Sequence, residues 1–146
     1  MTLTMAPETR SKTRARIALE EGFEGKLYRD TNGHWTGGFG HNFDAKGISL
    51  NIGFAMLDED IQDAEHDVWK YLSEWYEPLT DPRKSVILDM AFNEGAEEVA
   101  KFTGMIAAIK TQNWTLAAKE MLQSLWAQQV GNRAVVLAKI MESGQL

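Results

Sequence analysis

The residues that could do chemistry cluster in one stretch, LEEGFEGKLYRDTNGHWTGGFGH, over positions 19–41. It contains two carboxylates of interest, Glu21 and Asp30, together with Thr36 and several glycines. Gly22 follows an apolar helical pattern and can end that helix, because glycine adopts a left-handed conformation at little cost. Glu21 would then lie among the unpaired carbonyls of a helix end, which disfavour a negative charge. It could therefore stay protonated and act as an acid.

The second carboxylate, Asp30, stands just before a predicted hairpin turn. Asn32-Gly33 between two β-prone runs is a strong hairpin signal, and positive φ is expected at both residues. Asp30 and Thr36 are six residues apart across this turn, so a regular hairpin directs both side chains to one face. One protonated and one ionised carboxyl could cleave a glycosidic bond, with a water held by Thr36. The residues alone leave an ordinary alternative open, since such carboxylates are common and usually solvated.

Length and composition limit the class of protein. A chain of 146 residues with 44% hydrophobic and 25% charged residues fits one globular domain with a sizeable core. There is no cysteine, which excludes disulfides and thiolate metal sites and suits a reducing compartment. Three scattered histidines do not suggest a ligand set, so we expect neither a metal nor another cofactor.

The charge distribution and the hydropathy exclude two classes of partner. The net charge is −6, and the acidic side chains are concentrated between Asp44 and Glu98. Because phosphate binding requires a basic surface, we expect no nucleic-acid partner. No apolar run approaches the length of a membrane span, and the basic N-terminus lacks the apolar segment of a signal peptide. We therefore expect a soluble cytoplasmic product without stable membrane insertion.

The remaining elements are predicted to be mainly helical. A helix from Thr9 or Ser11 to Glu21 precedes the hairpin, and residues 42–48 are predicted to form a third short strand and a turn. A long helix capped by Ser49 carries a core-facing stripe. The stripe residues are Leu57, Ile61, Ala64, Val68 and Tyr71. Further helices are predicted over residues 81–94, 104–110, 114–128 and 133–141.

These elements predict a single α+β domain over residues 1–146 with a small N-terminal antiparallel sheet. We expect a flexible N-terminus at about 1–10, a helix and hairpin lobe over 11–50, a connecting helix over 51–74 and a helical lobe over 80–146. The groove between the lobes is where a polysaccharide would bind. Helical spacing among leucines and methionines predicts core packing for Trp69, Trp114 and Trp126.

The motif in the first half of the chain resembles a known family signature. Glu21-Gly22, Tyr28-Arg29-Asp30 and the run GHWTGGFGH over residues 33–41 are similar to the pattern of the phage-type lysozymes, glycoside hydrolase family 24. A second block, DMAFN over residues 89–93 and onward through Trp126 to Arg133, resembles the family's C-terminal half in the same spacing. The resemblance covers most of the chain from about residue 16. It implies a mainly helical, two-lobed lysozyme-like fold with a long interlobe helix.

The resemblance also implies roles for individual residues. Glu21 would be the general acid, and Asp30 and Thr36 would position and activate water. The residues matching the family's substrate cleft are Asn42, Phe92, Asn93 and Met105. Arg133 matches a supporting arginine near the glutamate, and for His41 we expect a hydrogen bond that supports the hairpin. Glu120 and Leu125 depart from the pattern, since an amide and a basic residue occupy these positions in the best-known member.

The implied activity is that of an N-acetylmuramidase, an endolysin that cuts peptidoglycan by inversion at the β-1,4 bond between N-acetylmuramic acid and N-acetylglucosamine. The resemblance implies a monomer that acts on glycan strands and lyses a bacterial host. It would wait in the host cytoplasm until a holin releases it to the periplasm and cell wall. Two alternatives stay open, a lytic transglycosylase and a virion-associated, non-catalytic wall-binding module. The presence of Asp30 and Thr36 beside Glu21 argues against both.

Overall fold

The computed structural model of the protein describes residues 5–146 and divides into two compact units, Met1–Gly53 and Phe54–Leu146. The elements of the first unit are α1 (Pro7–Glu21), β1 (Glu24–Arg29), β2 (Trp35–Gly38), β3 (His41–Asn42) and α2 (Phe43–Lys46). A long helix, α3 (Leu50–Tyr76), begins in the first unit and continues into the second. The remaining helices are α4 (Asp81–Glu94), α5 (Ala96–Val99), α6 (Thr103–Lys110), α7 (Trp114–Leu122), α8 (Leu125–Val130) and α9 (Asn132–Ser143). With its antiparallel sheet in the order β1-β2-β3, this mainly helical chain confirms the predicted α+β class.

Helix α1 ends as predicted and begins earlier. It ends at Glu21, where Gly22 takes a φ of 71° and donates its N–H to the Ala18 carbonyl. It begins at Pro7 rather than at Thr9 or Ser11, because proline is well suited to the first helical turn, where its missing N–H is not needed. The expected flexibility of residues 1–10 falls in part on residues 1–4, which lie outside the described residues.

The β1–β2 hairpin closes through a longer turn than predicted. The Asp30 N–H donates to the His34 carbonyl at 2.9 Å, so three residues separate this pair instead of two. Gly33 has a φ of 81°, but Asn32 keeps a negative φ, and the prediction of positive φ at both positions is wrong. The Asp30 carboxylate explains the difference, because it accepts the backbone N–H of Asn32 and stabilises the wider loop.

The predicted third strand is much shorter than residues 42–48. Strand β3 ends at Asn42, whose side-chain oxygen accepts the Ala45 N–H at 2.9 Å. That bond makes Asn42 the N-cap of the short helix α2, and Gly47, with a φ of 58°, caps its C-terminal end. The cap therefore converts the predicted strand and turn into a helical turn.

Helix α3 confirms the predicted stripe only in part, since Val68 is buried, Ile61 and Ala64 are partly buried, and Leu57 and Tyr71 are exposed. Ser49 caps it as expected, since its hydroxyl accepts the Ile52 N–H at 3.3 Å. The buried residues are Val68, Leu72 and Trp75. Tyr71, predicted to face the core, and Trp69 are 42% and 61% exposed, so those two predictions are wrong. Neither α3 nor any other helix within residues 5–146 is long and apolar enough to cross a bilayer.

The core of the second unit is built mainly from methionine, valine and alanine. Its fully buried larger side chains include Val86, Ile87, Met90, Met121 and Met141, and the predicted burial of Trp126 is confirmed at 3% exposure. The helix predicted over residues 114–128 is two helices, α7 and α8. They are separated at Ser124, whose hydroxyl donates to the Met121 carbonyl and accepts the Ala127 N–H. This exchange ends one helix and caps the next.

Gln112, between α6 and α7, offers a test of backbone strain. It has a φ of 56°, which L-residues other than glycine rarely adopt. Gln112→Gly should therefore raise the free energy of unfolding by about 0.5–1 kcal/mol. Gln123→Gly is the matched control, because Gln123 has an ordinary φ of −87° and glycine there should destabilise. Urea unfolding of both variants measures this, and destabilisation by both would contradict the prediction.

Candidate active site

Glu21, the last residue of α1, packs its carboxyl against the turn between β2 and β3. A Cβ atom placed on Gly40 would lie 2.6 Å from Glu21 Oε2 and 3.0 Å from its Cδ. Gly40 also has a φ of 70°, so glycine satisfies both the backbone and the space requirement at this position. The Glu21 carboxyl therefore packs directly on the backbone of Gly40, at the turn between β2 and β3. This contact is the seat of Glu21.

Asp30 is held as a carboxylate by the turn that it begins. Its Oδ1 accepts the N–H groups of Asn32 at 2.9 Å and His34 at 2.8 Å. The His34 N–H is the largest influence lowering the pKa of Asp30 below its ordinary 3.8, and partial burial opposes it. Asp30 is thus ionised at neutral pH, and its contribution to stability is lost as the pH falls through this lowered pKa. Both of these hydrogen bonds from backbone N–H groups go to Oδ1, and neither goes to Oδ2.

Thr36 lies on the central strand with a buried hydroxyl. The residue is 4% exposed, and its Oγ1 donates to the His34 carbonyl at 3.0 Å. In the sheet register Thr36 pairs with Tyr28 on one side and with Asn42 on the other. Paired residues, and residues two apart, point to the same face, so Asp30, Thr36 and Asn42 share one face of the sheet.

His41 and Asp44 fix the edges of this sheet. His41 Nε2 lies 2.6 Å from the Gly47 carbonyl, and its ring meets the Phe43 ring edge-on with centroids 4.8 Å apart. This bond ties β3 to the loop after α2, whereas we predicted support of the β1–β2 hairpin. Asp44 Oδ2 accepts the Trp35 N–H at 2.8 Å and so anchors the start of β2.

In the second unit, Arg133 and Phe92 border the same cavity of about 290 Å³. Arg133 binds Asp89 Oδ1 through Nε and Nη2, each at 2.7 Å. Arg133 lies in the first turn of α9, where the helix N-terminus disfavours a cation, and Asp89 offsets this. Phe92 is 41% exposed, so its ring is accessible.

Asn93 is exposed, whereas Met105 is less accessible than a substrate contact requires. Asn93 Oδ1 accepts the Trp126 indole N–H at 3.0 Å. Met105 is 1% exposed and packs in the core behind a cavity of about 560 Å³, which Glu120 and Leu125 also border. The predicted site residues therefore fall into two groups. The first unit holds Glu21, Asp30, Thr36, His41 and Asn42, and the second holds Phe92, Asn93, Met105 and Arg133.

Three contacts of these residues were not predicted from the sequence. Gly40 belongs to a glycine-rich run in the sequence, and that run does not indicate its contact with Glu21. Its position one residue before His41, in a tight turn, was the signal from which a special role could have been predicted. Asp44 and Asp89 carry no local signal, because their partners lie nine and 44 residues away. Within residues 5–146 no three histidine, aspartate or glutamate side chains converge as a metal site requires.

The seat of Glu21 makes a specific prediction. Gly40→Ala should displace the Glu21 carboxyl and lower any activity that depends on it by roughly tenfold or more, since a small misplacement of a catalytic group is costly. Gly38→Ala is the control, because Gly38 has a similar φ of 61° but open space around its Cβ position. Both variants bear similar backbone strain, and circular dichroism checks their folding. Equal activity losses in the two would contradict the role of Gly40.

The chain is similar to known proteins over most of its length. Residues 18–140 match the family model described as "Phage lysozyme". "Probable T4-type lysozyme 1" of Dictyostelium discoideum is 27% identical over 158 residues, a match that covers 89% of this chain and 93% of that protein. "Probable T4-type lysozyme 2" of the same organism is 26% identical with the same coverage. "Pre-baseplate central spike protein Gp5" of Enterobacteria phage T4 is 25% identical over 157 residues, which cover 89% of this chain and 27% of the spike protein.

Proposed function

The chain belongs to the phage lysozyme family and is a lysozyme-type peptidoglycan hydrolase, and from this premise we propose that it is an N-acetylmuramidase. Its substrate would be the β-1,4 bond between N-acetylmuramic acid and N-acetylglucosamine. One observation carries the proposal. The first unit joins a helix-end carboxyl, Glu21, to a sheet that also holds Asp30 as a carboxylate and Thr36 as a buried hydroxyl. Most glycosidases cleave their substrate with two carboxyl groups, one of which acts as the acid.

In the proposed reaction Glu21 is the general acid. Its proton passes to the oxygen that leaves the anomeric carbon, and the C–O bond breaks. Asp30 is the general base, and its Oδ2 takes a proton from water while the water oxygen bonds to the anomeric carbon. Because the Thr36 hydroxyl donates to the His34 carbonyl, it would accept a hydrogen bond from this water and so orient it. A water between two carboxyl groups requires a separation of roughly 6.5–9.5 Å and inverts the anomeric centre.

The second group of residues is proposed to hold the glycan. Phe92 offers an exposed ring for a sugar face, and Asn93 presents an amide already oriented by Trp126. Met105 would support the wall of the 560 Å³ cavity from the core side, because its side chain is buried. Asn42 would contribute from the sheet face that it shares with Thr36. Arg133 and His41 would support these groups through their bonds to Asp89 and Gly47.

The biological role is proposed to be lysis of a bacterial host by an endolysin. The chain would act as a monomer on peptidoglycan glycan strands. It would stay in the host cytoplasm until a holin opened the route to the periplasm and the cell wall.

Mass analysis of digested peptidoglycan tests the activity. Purified sacculi incubated with the protein should release fragments whose muramic acid ends carry one added water. Fragments ending in a 1,6-anhydro sugar, lighter by that water, would identify a lytic transglycosylase. Sacculi that stay intact while the protein binds them would identify a non-catalytic wall-binding module.

A virion-associated lysozyme is the second candidate, and the spike-protein relative favours it. That relative is matched over 27% of its length, so a region similar to this chain occurs within a longer baseplate protein. The chemistry proposed for Glu21, Asp30 and Thr36 would be the same in either setting. Peptide mass spectrometry of purified virions separates the two roles, because an endolysin is absent from the particle and a spike component is present.

A further inference from the structure

His34 contacts both residues to which the proposed function assigns water activation. Its backbone N–H donates to Asp30 Oδ1 at 2.8 Å, and its carbonyl accepts the Asp30 N–H at 2.9 Å. The same carbonyl accepts the Thr36 hydroxyl at 3.0 Å. The backbone of His34 thus fixes the orientation of the proposed base and of the proposed water-binding hydroxyl.

The imidazole of His34 adds a contact that the backbone does not explain. Its Nδ1 lies 3.6 Å from Asp30 Oδ2, with the side chain half-exposed. Any residue could supply the backbone bonds, but a titratable ring at this position places a group of variable charge beside a carboxylate. Oδ1 is already bonded to two amides, so the ring stands beside the oxygen that would receive the proton from water.

We propose that His34 is a positioning residue that controls whether Asp30 Oδ2 can activate water. The proposal rests on the proposed function. With a neutral imidazole, Oδ2 is open to the water, and the proton of the water passes to it. With a protonated imidazole, the ring forms an ion pair with Oδ2 and competes with the water for it, so turnover falls. The ring does not take part in bond cleavage and is unchanged at the end of the cycle.

The charges around His34 leave Asp30 as its main partner. On β1, the Arg29 guanidinium donates to the Gly33 carbonyl at 2.8 Å and lies over the Trp35 ring. On α2, the Asp44 carboxylate accepts the Trp35 N–H. Asp30 is the carboxylate in direct reach, so its removal should change the titration of His34 most.

The first measurement does not depend on activity. Proton NMR follows the imidazole signals of wild type and Asp30→Asn with pH, and His66→Asn and His41→Asn assist the assignment. Asp30→Asn should move the titration of the His34 signals to lower pH, because an anionic neighbour 3.6 Å from the ring is lost. The signals of His66, which lies on α3, should not move. An unchanged His34 titration in Asp30→Asn would overturn the proposal.

The second measurement is the pH profile of peptidoglycan hydrolysis in His34→Asn, with His34→Gln as a second variant in case one folds poorly. The acidic limb of kcat should move to lower pH in the variant, with little change in KM. A merely structural role would lower kcat equally at every pH, and that result would overturn the proposal. If wild type releases no fragments while the NMR shift occurs, the contact stands and the proposed function fails.

Discussion

Glu21→Gln is expected to lower the rate of peptidoglycan hydrolysis by roughly 10²- to 10⁴-fold while leaving the fold intact. Glutamine keeps the size of the side chain and can pack on Gly40 in the same way, but its amide is too weak an acid to protonate the leaving oxygen. The side chain is exposed at the end of α1, so the substitution leaves no buried group unpaired. Release of soluble fragments from sacculi, with circular dichroism as a folding check, measures the effect.

Glu20→Gln is the matched control for this substitution. Glu20 is the preceding residue on α1, and its carboxylate lies 3.9 Å from Arg16 in an exposed pair that contributes little. Both variants replace a glutamate carboxyl by an amide, and the two positions are adjacent on α1. Activity of Glu20→Gln should stay within a few-fold of wild type, and a near-normal rate for Glu21→Gln would remove Glu21 from the mechanism.

Asp30→Asn is expected to have the second largest effect, a loss of roughly 10²- to 10⁴-fold through removal of the general base. An asparagine oxygen can still accept the N–H groups of Asn32 and His34, so the turn should keep its shape. The loss should be in kcat, since the same sheet face remains available to substrate. The lowered pKa of Asp30 keeps the wild-type base ionised across neutral pH. Raising the pH should not restore the variant, because an asparagine amide does not become a base.

Asp44→Asn is the charge-matched control, since Asp44 also accepts a backbone N–H, from Trp35. It removes the same charge from the same unit and should keep most activity. A comparable loss in Asp44→Asn and Asp30→Asn would show that the net charge of the unit matters and that Asp30 has no particular role.

The local signals of the sequence predicted the elements around the site. Gly22 marks the end of α1, and Ser49 marks the start of α3, because each acts on backbone groups within a few residues. The Asn32-Gly33 signal was sufficient to place Asp30 and Thr36 on opposite sides of one hairpin turn. The α+β class followed from these elements.

The local sequence patterns gave wrong predictions where side chains form hydrogen bonds with backbone N–H groups. The Asp30 carboxylate widened a turn that Asn32-Gly33 predicted to be tight, and the Asn42 amide turned a predicted strand into the cap of α2. Propensity rules treat such residues as turn formers without saying which N–H they will accept.

Contacts between residues far apart in the chain could not be predicted from the sequence. The seat of Glu21 on Gly40 joins residues on a helix and a turn, and the Arg133–Asp89 pair joins two helices. No periodicity connects such positions, so their pairing depends on how the elements pack. The burial of Met105 has the same origin, because a motif match does not say which side of a helix faces the core.

The stereochemistry of the first product tests the central claim most directly. Proton NMR of a fresh peptidoglycan digest, recorded before the anomers equilibrate, shows which anomer forms first. Attack by a water held between Asp30 and Thr36, with Glu21 as the acid, predicts the α-anomer from the β-linked glycan. A β-anomer appearing first, or a covalent glycosyl adduct on Asp30, would contradict the water-mediated mechanism and make Asp30 the nucleophile.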